Sequence, residues 1–277
     1  MFAGKGVFHV IATPIGNLSD ITRRAAEVIG QLDLLYAEDT RHTARLCSHL
    51  GVNVKLRSLH DHNEQDRIAE VLEQLQAGLA VGLVSDAGTP LISDPGYRIV
   101  AACHAAGVSV SPVPGPSSLT AALSVSGLPT DRFLFNGFLP ARLAARQKVL
   151  SDLKSETATL VFFESTHRII ATLEDLLEIM GDREIFLGRE LTKTFETIIK
   201  ARVSDVLDLV AEQHKGEFVL VVSGADQGPS QFNPDVERLL LTLATEMPPK
   251  QAAKLTSIHY GVNKKVLYTW LLDQKPG

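Results

Sequence analysis

Short apolar runs alternate with amphipathic stretches along the first 225 residues, and most of these runs end abruptly in polar or turn residues. This alternation is typical of buried strands joined by helices, because a strand that is covered on both faces is apolar throughout. Up to Gly127 the pattern predicts one αβα layer domain with a mostly parallel sheet. Its predicted strands are Val7–Ala12, Asp33–Ala37, Val54–Leu59, Leu79–Val84 and Val108–Val113.

A second set of strands and helices follows a short connection at residues 128–131. Its predicted strands are Phe133–Phe138, Thr159–Phe163, Glu184–Leu187 and Phe218–Val222, and its predicted helices are Arg142–Lys154, Arg168–Met180 and Val203–His214. Because the connections are longer and more varied than before, we expect this sheet to be mixed. The pattern therefore predicts two α/β domains, at residues 1–127 and 128–227.

Three helices are predicted beyond a turn-rich linker, Asp226–Pro234. They span Asp235–Glu246, Lys250–Tyr260 and Lys264–Leu272, and the Gly261 turn joins the last two at helix-turn-helix spacing. Residues 246–277 carry a net charge of +3, and the rest of the chain carries −8. We predict that residues 235–277 form a small basic domain that contacts nucleic acid, with a packing domain or dimerisation arm as the alternative.

The composition is that of a soluble globular protein, with 45% hydrophobic and 21% charged residues. A net charge of −5 argues against nonspecific coating of nucleic acid, although it allows a local basic patch. Cys47 and Cys103 lie within predicted helices and are expected to be buried free thiols. No secretory signal pattern and no apolar run of roughly 20 residues are found, so we expect a cytoplasmic protein without a membrane span.

Two neighbouring predicted strands end in loops of small and turn-forming residues. Leu79–Val84 leads into Ser85–Gly96, which contains two Asp turns, and Val108–Val113 leads into Pro114–Ser118. Open α/β sheets bind ligands at the carboxyl ends of their strands, and small residues let a ligand approach the backbone. We therefore predict a ligand site here. Ser117 or Ser118 is expected to cap the helix that follows.

Other loops carry ionisable or turn-forming residues. Thr13–Asn17 separates a strand from a helix that Asp20 is expected to cap, but it lacks a Gly-rich dinucleotide fingerprint. Residues 38–42 either cap a helix over Thr40–Leu50 or form a functional edge, which we favour. Residues 60–64 contain metal-ligand types, yet consecutive loop side chains rarely converge on one ion. We expect contact with the substrate or a neighbouring loop there, and no metal site.

Seven segments together resemble the tetrapyrrole-methylase superfamily, and more narrowly its small-subunit ribosomal RNA methyltransferase branch. They are Thr13–Asn17, Ala37–Thr43, Leu83–Gly96, Pro114–Ser118, Phe163–Arg168, Arg189–Lys193 and Lys215–Glu217. The resemblance implies two αβα domains with S-adenosylmethionine between them, and a homodimer. It also implies 2′-O-methylation of a cytidine ribose in the decoding centre of small-subunit (16S) ribosomal RNA. The first two loops depart from the Gly-rich forms of the tetrapyrrole branch, which disfavours a tetrapyrrole substrate.

The resemblance also assigns roles to individual residues. Those expected to bind S-adenosylmethionine are Ile15, Asp86, Gly88, Thr89, Ser117, Ser118, Phe163 and Glu164. A ribose hydroxyl is a poor nucleophile until its proton is removed, and the candidate general bases are Asp39, His42 and Glu190, in that order. Residues expected to contact RNA are Arg41, Arg168, Lys193, Lys250, Lys254, Lys264 and Lys265.

Three alternative functions remain open from the sequence. The same fold could methylate a small tetrapyrrole, although such an enzyme has no use for the C-terminal lysines. A non-catalytic RNA-binding regulator could use the helix-turn-helix alone, and the two intact ligand loops argue against it. A metal-dependent hydrolase built on residues 60–64 is the least favoured of the three.

Overall fold

A computed structural model describes residues 6–212, 215–226 and 232–273. The chain divides into two compact units, Met1–Ala225 and Asp226–Gly277. Part of the predicted linker, residues 227–231, lies outside the described residues, as do the last two residues of the predicted helix Val203–His214. Among the described residues, no helix is long and apolar enough to cross a membrane.

The first sheet of the larger unit has five parallel strands in the order β3-β2-β4-β1-β5, which confirms the predicted parallel sheet. The strands are β1 Val7–Ile11, β2 Leu34–Ala37, β3 Lys55–Ser58, β4 Val81–Val84 and β5 Ser109–Val113. All residues of β2 and β4 are buried, because helices cover both faces of the sheet. Leu34 and Tyr36 enter one core while Leu35 and Ala37 enter the other.

Five helices follow these strands in the chain. They are α1 Arg23–Ile29, α2 Thr40–Leu50, α3 Glu64–Gln76, α4 Tyr97–Ala105 and α5 Ser118–Ser126. The first four pack on this sheet, whereas the fifth packs against Val161, Phe186 and Val219 of the second sheet. Cys47 and Cys103 are buried free thiols in the two opposite cores, as predicted.

Of two predicted helix caps, one is wrong and the other is correct in position but makes no side-chain capping hydrogen bond. Asp20 lies in a short 3-10 helix, Leu18–Asp20, and the cap of α1 is instead Thr22, whose hydroxyl accepts a hydrogen bond from Ala25 N at 3.1 Å. Ser117 occupies the N-cap position of α5, but its side chain makes no capping hydrogen bond. Its hydroxyl can therefore serve another partner.

The second sheet is mixed, as predicted, and has the order β6-β7-β10-β8-β9. Its strands are β6 Phe133–Phe138, β7 Thr159–Ser165, β8 Glu184–Arg189, β9 Thr197–Arg202 and β10 Glu217–Val222. β6 and β7 are parallel, whereas β10 runs antiparallel to both β7 and β8. Consequently the carboxyl ends of β7 and β8 meet the amino end of β10 at one edge.

The sequence analysis missed β9, which is an edge strand paired antiparallel with β8. Its side chains alternate between half-buried and exposed, and the adjacent residues Ile198 and Ile199 point to opposite faces. Two consecutive isoleucines hide that period-two alternation, since only Ile199 packs against the core.

Three helices cover the second sheet: α6 Leu143–Asp152, α7 Ile169–Met180 and α8 Val203–Glu212. A buried ion pair joins Arg146 of α6 to Asp175 of α7, and Gln147 donates a second hydrogen bond to the same carboxylate at 2.9 Å. These polar contacts fix α6 against α7 at the margin of the apolar core.

The smaller unit is a three-helix cluster with its own core. The helices are α9 Pro234–Glu246, α10 Pro249–Tyr260 and α11 Lys264–Asp273. Gly261 follows α10 with φ +69°, the left-handed conformation that glycine adopts readily, and so permits the sharp turn into α11. The core residues are Phe232, Val236, Leu240, Ala252, Ala253, Leu267 and Leu271.

Candidate active site

Three loops of the first sheet meet beyond the carboxyl ends of the adjacent strands β4, β1 and β5. Thr13 and Gly88 exchange two backbone hydrogen bonds, of 2.8 and 3.1 Å, which tie the first loop to the second. Thr89 Oγ1 donates to the carbonyl of Pro116 at 3.1 Å, which ties the second loop to the third. Gly88 has φ +82°, and a Cβ there would approach Ile15 Cγ2 to 3.3 Å. The three loops therefore form one continuous wall.

The second sheet supplies the opposite wall from β7, the loop after β8, and the start of β10. Phe163 is held by edge-on contacts with Phe135 and Phe138, at ring-centroid distances of 4.9 and 5.7 Å. Asn17 N donates to Thr192 Oγ1 at 3.2 Å, so the first loop is also linked to the loop after β8.

A cavity of about 690 Å³ lies between these walls. All eight residues that the resemblance assigned to S-adenosylmethionine binding line it: Ile15, Asp86, Gly88, Thr89, Ser117, Ser118, Phe163 and Glu164. They are distributed over residues 15–164 of the sequence, and the fold brings them together. The volume falls within the range of about 300–1,000 Å³ that is usual for sites that bind small molecules.

Backbone strain is concentrated around the same cavity. Within residues 6–212, 215–226 and 232–273, four non-glycine residues have positive φ: Leu91 and Ser93 at 72°, Glu190 at 51° and Thr192 at 68°. The first two lie in the loop after β4, and the other two lie in the loop after β8. Each costs of the order of 1–3 kcal/mol, and such residues cluster at functional sites. Their positions support the assignment of this cavity as the functional site.

The cavity contains a group of three carboxylates, of which Asp86 was predicted to bind the cofactor, Glu38 lies in the predicted functional edge and Asp94 was given no role. Glu38, Asp86 and Asp94 all line it. Burial raises the pKa of Asp94 to about 6, and the charges of Glu38 and Asp86 contribute to the rise. Burial, with the charge of Asp86, also raises the pKa of Glu38. A cationic ligand would relieve this repulsion, so the cavity favours a positively charged group beside Asp94.

Among the described residues that line the cavity, Glu190 is the only one of the three candidate general bases. Its Oε1 accepts hydrogen bonds from Lys193 Nζ and from the backbone N of Glu217, both at 2.9 Å. Burial alone would raise its pKa, but these hydrogen bonds and the Lys193 charge hold the pKa of Glu190 below its ordinary value. Lys193, predicted to contact RNA, lines the cavity as well and also pairs with Glu217 at 2.8 Å.

Asp39 and Arg41 bind each other instead of pointing into the cavity. Asp39 is the N-cap of α2 and accepts from Arg41 N at 2.8 Å, and its other oxygen pairs with the guanidinium at 2.7 Å. Hydrogen bonds from the Arg41 side chain hold the pKa of Asp39 well below its usual range, which makes this carboxylate a weak proton acceptor. His42 lies exposed on α2. The capping alternative therefore accounts for the contacts of Asp39.

Glu164 and Arg168 are partners in the interior. Glu164 is 1% exposed, and its carboxylate accepts from Thr172 Oγ1 at 2.7 Å and from Ser165 N at 2.8 Å. Arg168 Nε lies 3.2 Å from Glu164 Oε1, and its guanidinium also donates to the carbonyl of Leu139. This network rigidifies the end of β7 and commits much of Arg168 to internal contacts.

Residues 60–64 also serve structural roles. Asn63 occupies the N-cap position of α3, and its Oδ1 accepts from His60 N at 2.9 Å. Glu64 is buried and caps α4, with Oε1 accepting from Gly96 N at 3.1 Å and Arg98 N at 2.8 Å. In the part of the chain that the structure describes, no group of three or more His, Cys, Asp or Glu side chains could hold a metal ion.

The four lysines predicted to bind RNA in the smaller unit are all exposed. Lys250 and Lys254 lie one turn apart on α10, and Lys264 and Lys265 begin α11 after the Asn263 side chain, which accepts from Lys265 N at 2.9 Å. The lysine side chains thus leave the core of this unit and are available to an anionic partner.

Comparison with known proteins agrees with this arrangement. Residues 7–207 match the family described as Tetrapyrrole (Corrin/Porphyrin) Methylases, and residues 230–275 match the RsmI C-terminal HTH domain. A relative from Escherichia coli O157:H7, named ribosomal RNA small subunit methyltransferase I, is 48% identical over 98% of this chain and 96% of its own. A protein of the same name from Vibrio cholerae is 46% identical over the same shares of both chains.

Solved structures with lower identity share the fold. Uroporphyrin-III-C-methyltransferase from Thermus thermophilus has a TM-score of 0.58 at 22% identity, and covers 79% of this chain and 94% of its own. The methyltransferase CobJ has a TM-score of 0.60 at 20% identity, over 79% and 95%. Together with the near-full-length relatives, these matches show that the chain belongs to the tetrapyrrole (corrin/porphyrin) methylase family, in the group of ribosomal RNA small subunit methyltransferase I proteins.

Proposed function

We propose that this protein transfers a methyl group from S-adenosylmethionine to small-subunit ribosomal RNA. The observation that carries the proposal is the joint placement of eight expected cofactor-binding residues around one cavity, in a chain 48% identical to a protein named for this activity. The finer proposal is that the acceptor is the 2′-oxygen of a cytidine ribose in the decoding centre. It rests on the resemblance in sequence, as does our expectation of a cytoplasmic homodimer.

The residues that line the cavity suit S-adenosylmethionine. The cofactor supplies a methyl group bound to a positively charged sulfur, and it also carries an ammonium group. Asp86 and Asp94 provide carboxylates for such cations, while Gly88, Ser117 and Ser118 allow close approach to the backbone. Phe163 offers an aromatic surface to the adenine ring.

The contribution of the protein to methyl transfer is mainly positional. Displacement at a sulfonium methyl requires the acceptor oxygen in line, and holding two reactants in this way can supply roughly 7–11 kcal/mol. The hydrogen bonds that join the three loops, and the strained residues on both walls, are suited to fixing that geometry. Of the sequence candidates for proton acceptor we place Glu190 first on position alone, because it lines the cavity, although Glu217 N and Lys193 hold its pKa below the ordinary value.

The decisive experiment uses purified protein, methyl-labelled S-adenosylmethionine and small ribosomal subunits that lack their native methylations. We expect label on a single ribose 2′-oxygen. Label on a tetrapyrrole precursor with none on the subunits would retain the fold and overturn the function. If the protein binds S-adenosylmethionine but labels neither the subunits nor the tetrapyrrole precursor, then neither of them is the methyl acceptor.

A further inference from the structure

Phe195 is unusually exposed for an aromatic side chain on a well-fixed loop. It lies between β8 and β9 and is 75% exposed to solvent. A single exposed apolar side chain is common on protein surfaces, so the case for a partner depends on what surrounds Phe195.

Hydrogen bonds hold this loop in one shape. Thr192 N donates to Glu196 Oε2 at 2.7 Å, and Glu196 N donates to the carbonyl of Lys193 at 3.0 Å. Lys193 N donates to the carbonyl of Glu190 at 3.0 Å, and its ammonium binds the carboxylates of Glu190 and Glu217. The loop therefore presents Phe195 on a rigid support, which reduces the entropy lost when a partner binds.

A second groove of about 640 Å³ contains Phe195 and adjoins the main cavity. The two share Glu190 and Gly216 in their linings, so the groove continues outward from the candidate active site. Its lining also includes the basic residues Arg189 and Lys215. Arg189 Nε donates to the carbonyl of Lys215 at 2.6 Å, which fixes the segment that carries the Lys215 side chain.

The acidic residues of this groove are already engaged. Glu190 is paired with Lys193, and Glu196 accepts from the backbone of Thr192. An aromatic face beside basic side chains is the combination that binds single-stranded nucleic acid, because the ring stacks on a base and the cation meets a phosphate. Four of the eight described residues that line the groove are charged, whereas the core of a protein–protein interface is depleted of charged residues, so the lining favours nucleic acid over a protein partner.

We propose that the groove binds a single-stranded RNA nucleotide adjacent to the one that enters the main cavity. Phe195 stacks on its base, and Lys215 contacts the neighbouring phosphate. This inference rests on the proposed function, since it assigns a place to the RNA that flanks the methylated nucleotide. Stacking does not distinguish the bases strongly, so the groove holds the strand without reading its sequence.

The test replaces Phe195 in the full-length protein. We expect Phe195→Ala to raise the KM for unmethylated small subunits by about 5- to 150-fold, the range for loss of one base stack, with little change in kcat. Phe195→Trp should keep the wild-type KM, because tryptophan also offers a stacking surface. The matched control is Leu209→Ala on α8, a residue 56% exposed and outside both cavities, which should leave all parameters unchanged.

The role of Lys215 is tested through salt dependence. Lys215→Gln should reduce the slope of log affinity against log salt for a single-stranded RNA oligonucleotide by about 0.7, whereas Phe195→Ala should leave that slope unchanged. An unchanged slope for Lys215→Gln would overturn the phosphate contact.

Other results separate this inference from the function on which it rests. If the wild type methylates subunits but Phe195→Ala has the wild-type KM, the groove does not bind RNA and the proposed function stands. If Phe195→Ala changes the sedimentation mass, Phe195 contacts a second copy of this chain and the inference is wrong. If the wild type binds S-adenosylmethionine but methylates no RNA, the proposed function fails and the inference fails with it.

Discussion

Replacing Asp94 with asparagine should stabilise the cofactor-free protein and weaken S-adenosylmethionine binding at the same time. Asp94 lies among carboxylates in the cavity, and its pKa is raised from 3.8 to about 6. Holding it ionised in the folded state therefore costs free energy that the unfolded chain does not incur. Asparagine keeps the shape of the side chain and removes the charge.

The pKa difference sets the magnitude of the stabilisation. At 1.36 kcal/mol per pKa unit it corresponds to at most about 3 kcal/mol, and partial exposure of Asp94 to solvent reduces this to about 1–2 kcal/mol. The direction in which stability changes with pH depends on whether the folded or the unfolded state loses its proton first. Between the unfolded pKa of 3.8 and the folded pKa of about 6 the unfolded chain binds fewer protons, so the wild type loses stability as pH rises through this window. Above it the penalty is constant.

The assay is urea unfolding of both proteins at pH 5 and pH 8, without and with S-adenosylmethionine, together with calorimetric titration of the cofactor. Asp94→Asn should gain about 1–2 kcal/mol at pH 8 and roughly half of that at pH 5. Its affinity for S-adenosylmethionine should fall by about 10- to 100-fold, as expected for loss of a charged hydrogen-bond partner. The wild-type affinity should rise between pH 5 and 7, and the variant should lose that dependence.

Two outcomes would refute this reasoning. A variant that is less stable than the wild type at pH 8 would mean that Asp94 makes a favourable contact stronger than the repulsion around it. An unchanged affinity for S-adenosylmethionine, with the gain in stability present, would mean that the cation of the cofactor lies elsewhere in the cavity.

Three further predictions concern the rest of the chain. Glu190→Gln should lower kcat by about 10²- to 10⁴-fold with little change in cofactor affinity. Asp39→Asn preserves the helix cap and should stay within a few-fold of the wild-type rate in single-turnover assays. If Asp39→Asn instead causes the larger loss of rate, Asp39 is the base. Arg146→Ala leaves the Asp175 carboxylate buried without its ion-pair partner and should cost about 3–5 kcal/mol in urea unfolding, and a loss below 1 kcal/mol would show that water reaches the carboxylate. Deleting residues 226–277, a separate compact unit, should spare calorimetric binding of S-adenosylmethionine but abolish methylation of small subunits, and unchanged methylation would exclude the lysines of that unit from RNA binding.

Much of the fold could be predicted because the periodicity of its elements is strong. The buried runs that became β2 and β4 and the amphipathic repeat of α2 depend on local sequence alone. The order of the second sheet could not be predicted in the same way, because the insertion of β10 between β7 and β8 is a tertiary choice among strands of similar composition. The edge strand β9 was missed because the consecutive residues Ile198 and Ile199 hide its period-two alternation.

The candidate site could likewise be predicted only in part from the sequence. Loops rich in small residues and the family resemblance located the cofactor residues, since those loops follow recognisable strands. The raised pKa of Asp94 was not predictable, because it depends on burial in the folded protein and on the approach of Glu38, which follows β2, to the loop after β4 that carries both Asp86 and Asp94. For Asp39 the sequence suggested a role that the contacts do not support. Its acidic side chain at a strand end suggested a general base, but in the structure it caps α2 and forms an ion pair with Arg41.

The last strand of the second sheet to be synthesised, β10, is also its central strand. While the chain emerges from the ribosome, the pair β6–β7 and the hairpin β8–β9 each expose an unpaired apolar edge until Glu217–Val222 arrives. At about 5–20 residues per second this interval lasts several seconds, long enough for contact with other nascent chains. The first sheet is complete much earlier, once β5 has been made. Productive folding of this protein therefore depends on protecting two half-sheets during translation, and agents that shorten the delay or cover those edges should raise its yield.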